Sequence, residues 1–193
     1  MFRSATVRRI ALISVIPGSL VLSASPALAA GTPSAVTAPS EATASTPVAE
    51  GRTLMSPAQR MLRLTLSSVQ TRDMRGVEPS MYRGRYFRAS VEVKRQCIAK
   101  RESEGHYDVV SRSGYHGAYQ MSPQLARGAT WMMAREHRQL LGDEAAVRVL
   151  AKLRATPLSR WPRYWQDAAF STIYNWRGTG SGAAHWRGGR WHC

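Results

Sequence analysis

The chain has 193 residues and a formal charge of +15 at pH 7, from 27 Lys and Arg against 12 Asp and Glu. So positive a charge indicates an anionic partner: nucleic acid, an anionic membrane or an anionic cell wall. The sequence contains no nucleic-acid-binding signature and no distinct basic amphipathic helix, so we expect a cell wall and not a nucleic acid. An Arg-rich proteome would give the same charge and is the alternative explanation.

The first 52 residues have the composition of an export signal followed by a linker. Residues 1–29 combine basic residues, a short apolar stretch and an A-x-A cleavage site, which predicts a signal peptide. A retained N-terminal anchor is the alternative. Residues 30–52 are rich in Ala, Ser, Thr and Pro without hydrophobic periodicity, which predicts a disordered linker. We therefore expect a secreted, cell-wall-associated protein whose mature chain has no membrane span.

The remaining chain is long enough for one compact domain. Ser56, Pro57 and Gln59 form a helix-start pattern, with Ser as N-cap and Gln in the position of a capping box. The predicted helix ends before Gly76. Residues 53–87 therefore form a helix and an irregular connector, which either make a separate arm or belong to the main domain.

A second helix is predicted from Ser90, with Val93, Cys97 and Ile98 on its inner side. Glu102 lies one turn after Ile98 and is expected to point inwards or towards a cleft wall. Gly105 is the predicted end of this helix. The following Tyr, Val, Ser and Gly residues, up to Gln120, predict a small hairpin or a glycine-rich loop.

Three further helices follow in the sequence. Ser122 and Pro123 begin the third, which is predicted to bend or break near Gly128. The Gly142–Asp143 pair separates it from the fourth, which ends at Pro157, and a fifth precedes a Gly-rich turn and a Trp-rich tail. The pattern predicts a mainly α fold with no sheet of any size.

The chain contains two cysteines and five scattered histidines. In an exported chain an even number of cysteines favours a disulfide, here between Cys97 and Cys193. Two free buried thiols are the alternative. The spacing of these residues is not that of metal ligands, so neither a metal nor another cofactor is expected.

Glu102 is the candidate catalytic residue. A carboxyl that is partly removed from water tends to keep its proton near neutral pH, and a protonated carboxyl that faces a cleft can act as a general acid. Glycosidic bond cleavage needs such an acid to protonate the leaving oxygen. A surface glutamate without catalytic role is the alternative.

Three blocks of the sequence resemble the signature of one family. Glu102-Ser103, Gly117-Ala118-Tyr119-Gln120 and Ile173-Tyr174-Asn175 are similar to the three blocks of the lytic transglycosylase and goose-type lysozyme superfamily. The Cys-Ile-x-x-Arg-Glu-Ser opening looks closest to its secreted actinobacterial branch, which includes the resuscitation-promoting factors. The resemblance covers residues 88–193 and implies a lysozyme-like fold, α+β with a very small β or loop segment after the glutamate.

The resemblance also implies roles for the residues in these blocks. Glu102 would be the acid and later the base, while Ser111 and Gln120 would bind the sugar that flanks the scissile bond. Tyr174 and Asn175 would shape the cleft, with Tyr119 on its wall. A turn role for Ser111 and a core position for Tyr119 or Tyr174 are the alternatives. Of the tryptophans, most are expected in the core and one, Trp186 or Trp176, in the cleft.

The implied activity is cleavage of the β-1,4 bond between N-acetylmuramic acid and N-acetylglucosamine in peptidoglycan by a monomeric enzyme. With Glu102 as the single acid, the family's usual route is attack by the muramic 6-hydroxyl, which gives a 1,6-anhydro product. Glu104 and Asp108 are expected to face solvent. If Asp108 takes part instead, a hydrolytic lysozyme results. A non-catalytic wall-binding or signalling protein with the same fold is the third possibility.

Overall fold

The computed structural model describes residues 55–188 and 192–193. This part of the chain is mainly helical, and none of its helices has the length and apolar character that a bilayer crossing needs. The predicted signal peptide and linker, residues 1–29 and 30–52, lie outside the described residues. The α-helices are α1 Pro57–Ser67, α2 Val69–Arg72, α3 Glu92–Ser103, α4 Pro123–Met132, α5 Ala134–Leu141, α6 Asp143–Arg154 and α7 Arg163–Asn175.

Helix α7 is the central element, because every one of its 13 residues is buried. A helix that is surrounded on all sides can place polar residues inward only if they find partners. Helices α2 and α4 pack against α7, while α5 and α6 pack on each other and α6 also packs on α4. The aromatic rings of Trp165, Phe170 and Tyr174 extend from α7 into the core.

The first helix and the connector belong to the same compact unit as the rest of the described chain. Ser56 caps α1 as predicted: its hydroxyl accepts from the backbone N–H of Gln59 at 3.2 Å, and the Gln59 side chain accepts from the N–H of Ser56 at 2.8 Å. Leu62 is buried in the core. Thr71 accepts a hydrogen bond from the N–H of Tyr164 at 3.2 Å. The segment is thus integrated with the domain and is not a separate arm.

Several helix boundaries differ from the prediction. Ser90 does not cap α3, which begins at Glu92 after a short 3₁₀ turn. The third predicted helix continues through Gly128 as α4 and is interrupted at Met133 instead. A glycine in a helix costs only about 1 kcal/mol, which neighbouring packing readily offsets. The first predicted helix is interrupted at Ser68, whose hydroxyl caps α2.

The inner face of α3 also differs from the prediction. Val93 is 78 % exposed, whereas Arg95 is only 1 % exposed, beside the buried Ile98. Arg95 can lie inside because its guanidinium donates to the carboxylate of Glu92 at 2.8 Å and to the backbone oxygen of Glu78 at 2.5 Å. A buried charge whose donors are satisfied in this way is tolerated in the core.

Arg95 and Asp167 form a buried ion pair that joins α3 to α7. The Nη1 and Oδ1 atoms are 3.6 Å apart, and neither side chain is more than 2 % exposed. The hydroxyls of Tyr107 and Tyr119 donate to the same Oδ1 at 2.8 and 2.5 Å. Burial first, and then the negative charge of Asp167, raise the pKa of both tyrosine hydroxyls. They therefore remain protonated donors, and the four side chains form one network.

We expect Asp167→Asn to lower the free energy of unfolding by about 3 kcal/mol, because it removes the fully buried one of the two carboxylates that pair with Arg95 and leaves Glu92 as its remaining counterion. Urea denaturation followed by circular dichroism measures the loss. The matched control is Glu144→Gln, which removes an acid from an ion pair with Arg148 whose side chains are 84 % and 68 % exposed. That change should cost less than about 1 kcal/mol. Equal losses in the two variants would contradict the assignment.

The predicted disulfide is confirmed. Cys97 in α3 is bonded to Cys193, with Cα atoms 5.8 Å apart and 96 positions between them in the sequence. A closed loop of this length restricts the unfolded chain strongly. The bond ties the last residue of the sequence to the middle of the helix that carries Glu102.

Reduction of this disulfide should lower the free energy of unfolding by up to about 4.7 kcal/mol, the chain-entropy value for a loop of this size. Urea unfolding with and without a thiol reductant measures the change. The Cys97→Ser/Cys193→Ser double variant is the control: it should show the same loss in the absence of reductant and no further response to it. A wild-type midpoint that reductant does not move would disprove the stabilising role.

His137 is a buried titratable residue on α5. Its Nδ1 lies 3.0 Å from the backbone oxygen of Met133, and its Nε2 lies 3.2 Å from the hydroxyl of Tyr164. Burial lowers the pKa of this imidazole from its ordinary value of 6.5. The unfolded chain therefore binds the proton more readily than the folded chain. Stability that is present above the unfolded pKa is lost as the pH falls through the folded pKa.

We expect the urea midpoint to fall when the pH is lowered from about 7.5 to about 5.5, where few carboxylates titrate. His137→Gln should reduce this pH dependence even though it also lowers stability at neutral pH. The exposed His185, changed to Gln, is the control and should leave the pH dependence intact. The slope of the midpoint against pH is the quantity to compare. If His137→Gln keeps the wild-type slope, another group is responsible.

Candidate functional site

Glu102 lies in the last turn of α3, with 24 % of its side chain exposed. The helix ends because Glu104 adopts a left-handed backbone, with φ of 57°, and Gly105 continues in the same region at 79°. The N–H groups of Glu104 and Gly105 donate back to backbone oxygens of the last turn. The chain leaves the helix axis after Ser103, so the carboxylate of Glu102 lies near the end of α3 and is partly exposed.

Arg101 is the direct partner of Glu102. Its Nη2 and Nε donate to Oε1 of Glu102 at 2.7 and 3.1 Å, and Nη2 also donates to the backbone oxygen of Trp186 at 2.7 Å. The Arg101 side chain is only 2 % exposed. A guanidinium donates hydrogen bonds and cannot accept them. Oε1 is therefore an acceptor here, and the two side chains form an ion pair.

Two further hydrogen bonds join the end of α3 to the Gly117–Gln120 block. The hydroxyl of Ser103 lies 2.9 Å from the backbone oxygen of Ala118. The indole N–H of Trp186 donates to the backbone oxygen of Tyr119 at 2.8 Å. With the contact between Arg101 and Trp186, these bonds close a ring. The 117–120 block and the segment at Trp186 are therefore joined to the last turn of α3, which carries Glu102.

The backbone of the Gly117–Gln120 block has an unusual conformation. Gly117 has φ of 73°, and a side chain there would bring its Cβ within 2.2 Å of Oε1 of Gln166. Gln120 has φ of 45°, and its side-chain amide donates to the oxygen of Gly117 at 2.9 Å. Among the described residues other than glycine, only Glu104 and Gln120 have positive φ. Such backbones cost about 1–3 kcal/mol and concentrate at functional sites.

The Tyr174 ring lies on the wall of a cleft. It is 6.0 Å from the ring of Trp186, and both residues line a cavity of about 170 Å³ together with Ile98 and Arg101. Burial raises the pKa of the Tyr174 hydroxyl. Glu102 itself is not among the residues that line this cavity, whereas its neighbour Arg101 is. Tyr174 and Trp186 thus contribute aromatic surface to a cavity beside the C-terminal half of α3.

Asn175, by contrast, is used inside the protein. It is 3 % exposed, its amide N–H donates to the backbone oxygen of Tyr86 at 2.8 Å, and its Oδ1 accepts from the N–H of Gly180 at 3.0 Å. These bonds hold the connector and the Gly-rich turn against the end of α7. Asn175 therefore shapes the region as a positioning residue, and its amide is not directed to a ligand.

Tyr119 lies in the core and not on a cleft wall. Its side chain is 0 % exposed, its ring stacks on Phe170 at 4.5 Å between centroids, and its hydroxyl is bonded to Asp167 and Arg95. The buried ion pair draws this hydroxyl inward, away from any sugar. The resemblance implied a position for Tyr119 on the cleft wall because it matches residue types along the sequence. It carries no information on the buried partners of the tyrosine hydroxyl.

Ser111 lies at the tip of the predicted hairpin-like segment. Its N–H donates to the oxygen of Tyr115 at 2.9 Å, and its hydroxyl accepts from the N–H of Tyr115 at 3.1 Å. Isolated antiparallel bridges pair Val110 with His116 and His116 with Met121. The segment is thus a very small β element, as expected after Glu102. The geometry of Ser111 is that of a turn serine.

The other acidic and aromatic candidates divide between solvent and core. Glu104 and Asp108 are exposed, as predicted. Trp161 and Trp165 are buried in the core, Trp186 lines the cleft, and Trp176 is 41 % exposed. The sequence assigned no role to Arg101, although it precedes Glu102 directly. Nothing in the sequence predicts its hydrogen bond to the backbone oxygen of Trp186, which lies 85 positions away.

Comparisons of this chain with protein-family models, with curated proteins and with solved structures find no match. The function is therefore inferred from the residues of the site and their geometry.

Proposed function

We propose that this protein cleaves peptidoglycan at the β-1,4 bond between N-acetylmuramic acid and N-acetylglucosamine, with Glu102 as its acid and base. The observation that carries the proposal is the convergence of distant segments at the end of α3, whose last turn carries one partly exposed carboxylate. The Glu102–Ser103 pair, the Gly117–Gln120 block and the aromatic wall of Tyr174 and Trp186 are joined by hydrogen bonds and ring contacts.

The chemistry needs one acid that later acts as a base. Glu102 protonates the oxygen of the leaving N-acetylglucosamine while positive charge develops at the muramic C1. The muramic 6-hydroxyl then attacks C1, and its proton returns to the Glu102 carboxylate. The C1–O bond to the leaving sugar breaks and a C1–O6 bond forms, so no water is consumed. This non-hydrolytic route is favoured because the nearest carboxylates in the sequence, Glu104 and Asp108, are exposed.

The setting of the site is compatible with work outside the cell. A disulfide persists in oxidising compartments. The formal charge of +15 attracts the carboxylates and acidic polymers of a wall, which raises the local concentration of the protein at its substrate. A secreted, wall-associated location is part of the proposal.

We expect Glu102→Gln to lower the rate of wall clearance by about 100-fold to 10,000-fold, because the amide cannot transfer the proton. Turbidity of purified peptidoglycan measures the rate. Glu104→Gln and Asp108→Asn are matched controls that remove neighbouring exposed carboxylates, and both should keep most of the activity. If the wild type clears no wall, the enzymatic proposal fails and the non-catalytic alternative is favoured. If the Glu102 variant clears wall as fast as the wild type, Glu102 is not the acid.

Mass spectrometry of the released fragments separates the two enzymatic routes. Transglycosylation gives 1,6-anhydromuramic ends, whereas hydrolysis gives reducing ends that are heavier by one water. Reducing ends that disappear in Asp108→Asn would replace the single-acid mechanism with a lysozyme mechanism.

A further inference from the structure

An aromatic platform lies where the connector meets the C-terminal end of α7. The rings of Tyr86 and Trp176 are 5.2 Å apart between centroids and inclined by 33°. Trp176 is 41 % exposed, although a large aromatic side chain gains free energy by burial. The amide of Asn175 fixes the backbone oxygen of Tyr86 at 2.8 Å. The ring contact and the hydrogen bond from Asn175 therefore fix the Tyr86–Trp176 platform in place, and part of its surface is exposed to solvent.

Three exposed arginines accompany this platform. The guanidinium carbon of Arg85 lies 5.7 Å from the centroid of the Tyr86 ring. Arg88 donates to the backbone oxygen of Arg85 at 2.8 Å, and Arg177 follows Trp176 in the sequence. Within residues 55–188 and 192–193, none of these three arginines forms an ion pair with a carboxylate. Their charges remain available to an anionic ligand.

The platform faces a different side of α7 from the candidate cleft. Trp176 comes two positions after Tyr174, and the backbone of Trp176 is still helical. Two positions along an α-helix turn the side chain by about 200°. Tyr174 points into the cavity that Arg101 and Trp186 also line, so Trp176 points away from that cavity. A ligand on the platform does not need the carboxylate of Glu102.

We propose that the Tyr86–Trp176 platform binds an acidic polysaccharide whose sugar rings carry carboxylates. The flat face of a sugar ring packs on the Trp176 indole, as apolar surface does on aromatic rings. A carboxylate of the same polysaccharide pairs with the guanidinium of Arg85 or Arg177. The planar guanidinium is well suited to this, because it can donate two parallel hydrogen bonds to a carboxylate. This deepens the proposed function, on which it rests for its wall partner, by assigning a holding site for anionic wall polymer.

A second exposed tryptophan, Trp131, provides a comparison for the ring contacts of Trp176. Trp131 is 65 % exposed, but the guanidinium carbon of Arg154 lies 4.1 Å from the centroid of its ring. Arg154 also donates to the hydroxyl of Thr130 at 3.3 Å. The ring of Trp131 is thus covered by an arginine, whereas the ring of Trp176 packs against a second aromatic ring. Trp131 is therefore the matched control for Trp176.

The test is calorimetric titration of the full chain, as wild type and as Glu102→Gln, with oligogalacturonate as the acidic probe and chitohexaose as the neutral one. We expect the acidic probe to bind both proteins equally and to lose affinity as salt is raised. Trp176→Ala and the Arg85→Ala/Arg177→Ala double variant should each weaken binding at least about tenfold, which corresponds to about 1.4 kcal/mol. Trp176→Phe should keep part of the affinity.

Three results would overturn the proposal. These are an equal loss in Trp131→Ala, equal affinity for the neutral probe, and tighter binding of a single-stranded DNA oligonucleotide than of the acidic glycan. Urea midpoints of all variants show whether a loss reflects unfolding, and Trp176→Phe then supplies the folded comparison. Failure of wall cleavage with intact acidic-probe binding would remove the enzymatic proposal and leave the platform standing.

Discussion

The buried ion pair between Arg95 and Asp167 is the interaction on which the arrangement of the candidate site depends. Removal of two charges from water costs several kcal/mol per ion, and the cost is offset only when the remaining donors and acceptors are satisfied. Here the hydroxyls of Tyr107 and Tyr119 complete the shell of Asp167. Arg95 precedes Glu102 by seven positions, which is close to two helical turns. The two side chains share one face of α3, so the ion pair sets the direction of Glu102.

The same network explains why the Gly117–Gln120 block contributes to the site through its backbone. The Tyr119 side chain points inward to Asp167, so its carbonyl is presented on the other side and accepts from the indole of Trp186. The adjacent carbonyl of Ala118 accepts from Ser103. The left-handed backbones of Gly117 and Gln120 make this turn possible. A block that resembles a substrate-binding motif therefore acts here first as a connection between α3, α7 and the C-terminal segment.

Local signals predicted much of the fold, and long-range polar contacts explain the rest. Ser56 and Ser122 were correctly predicted as the N-caps of α1 and α4, because a cap depends on residues only a few positions away. The disulfide followed from the number of cysteines. The prediction of the inner face of α3 was wrong, since hydrophobicity places Val93 inside and Arg95 outside, and the polar partners of Arg95, which include Asp167 on α7, reverse that order. The site was predicted as a set of blocks, but the contact of Arg101 with a distant backbone oxygen has no counterpart in sequence.

Three contacts fix helix α3, and each fixes a different part of it. The contact of Arg95 with α7 fixes the helix to the core. The bond of Cys97 to Cys193 is covalent and binds the end of the chain to its middle. The contact of Arg101 with Trp186 fixes only the last turn, beside the candidate acid. Segments that are far apart in sequence meet at a cost in chain entropy, and the disulfide reduces that cost for contacts inside the closed loop of residues 97–193, which contains α4 to α7. The disulfide therefore supports the core helices as well as the C-terminal segment.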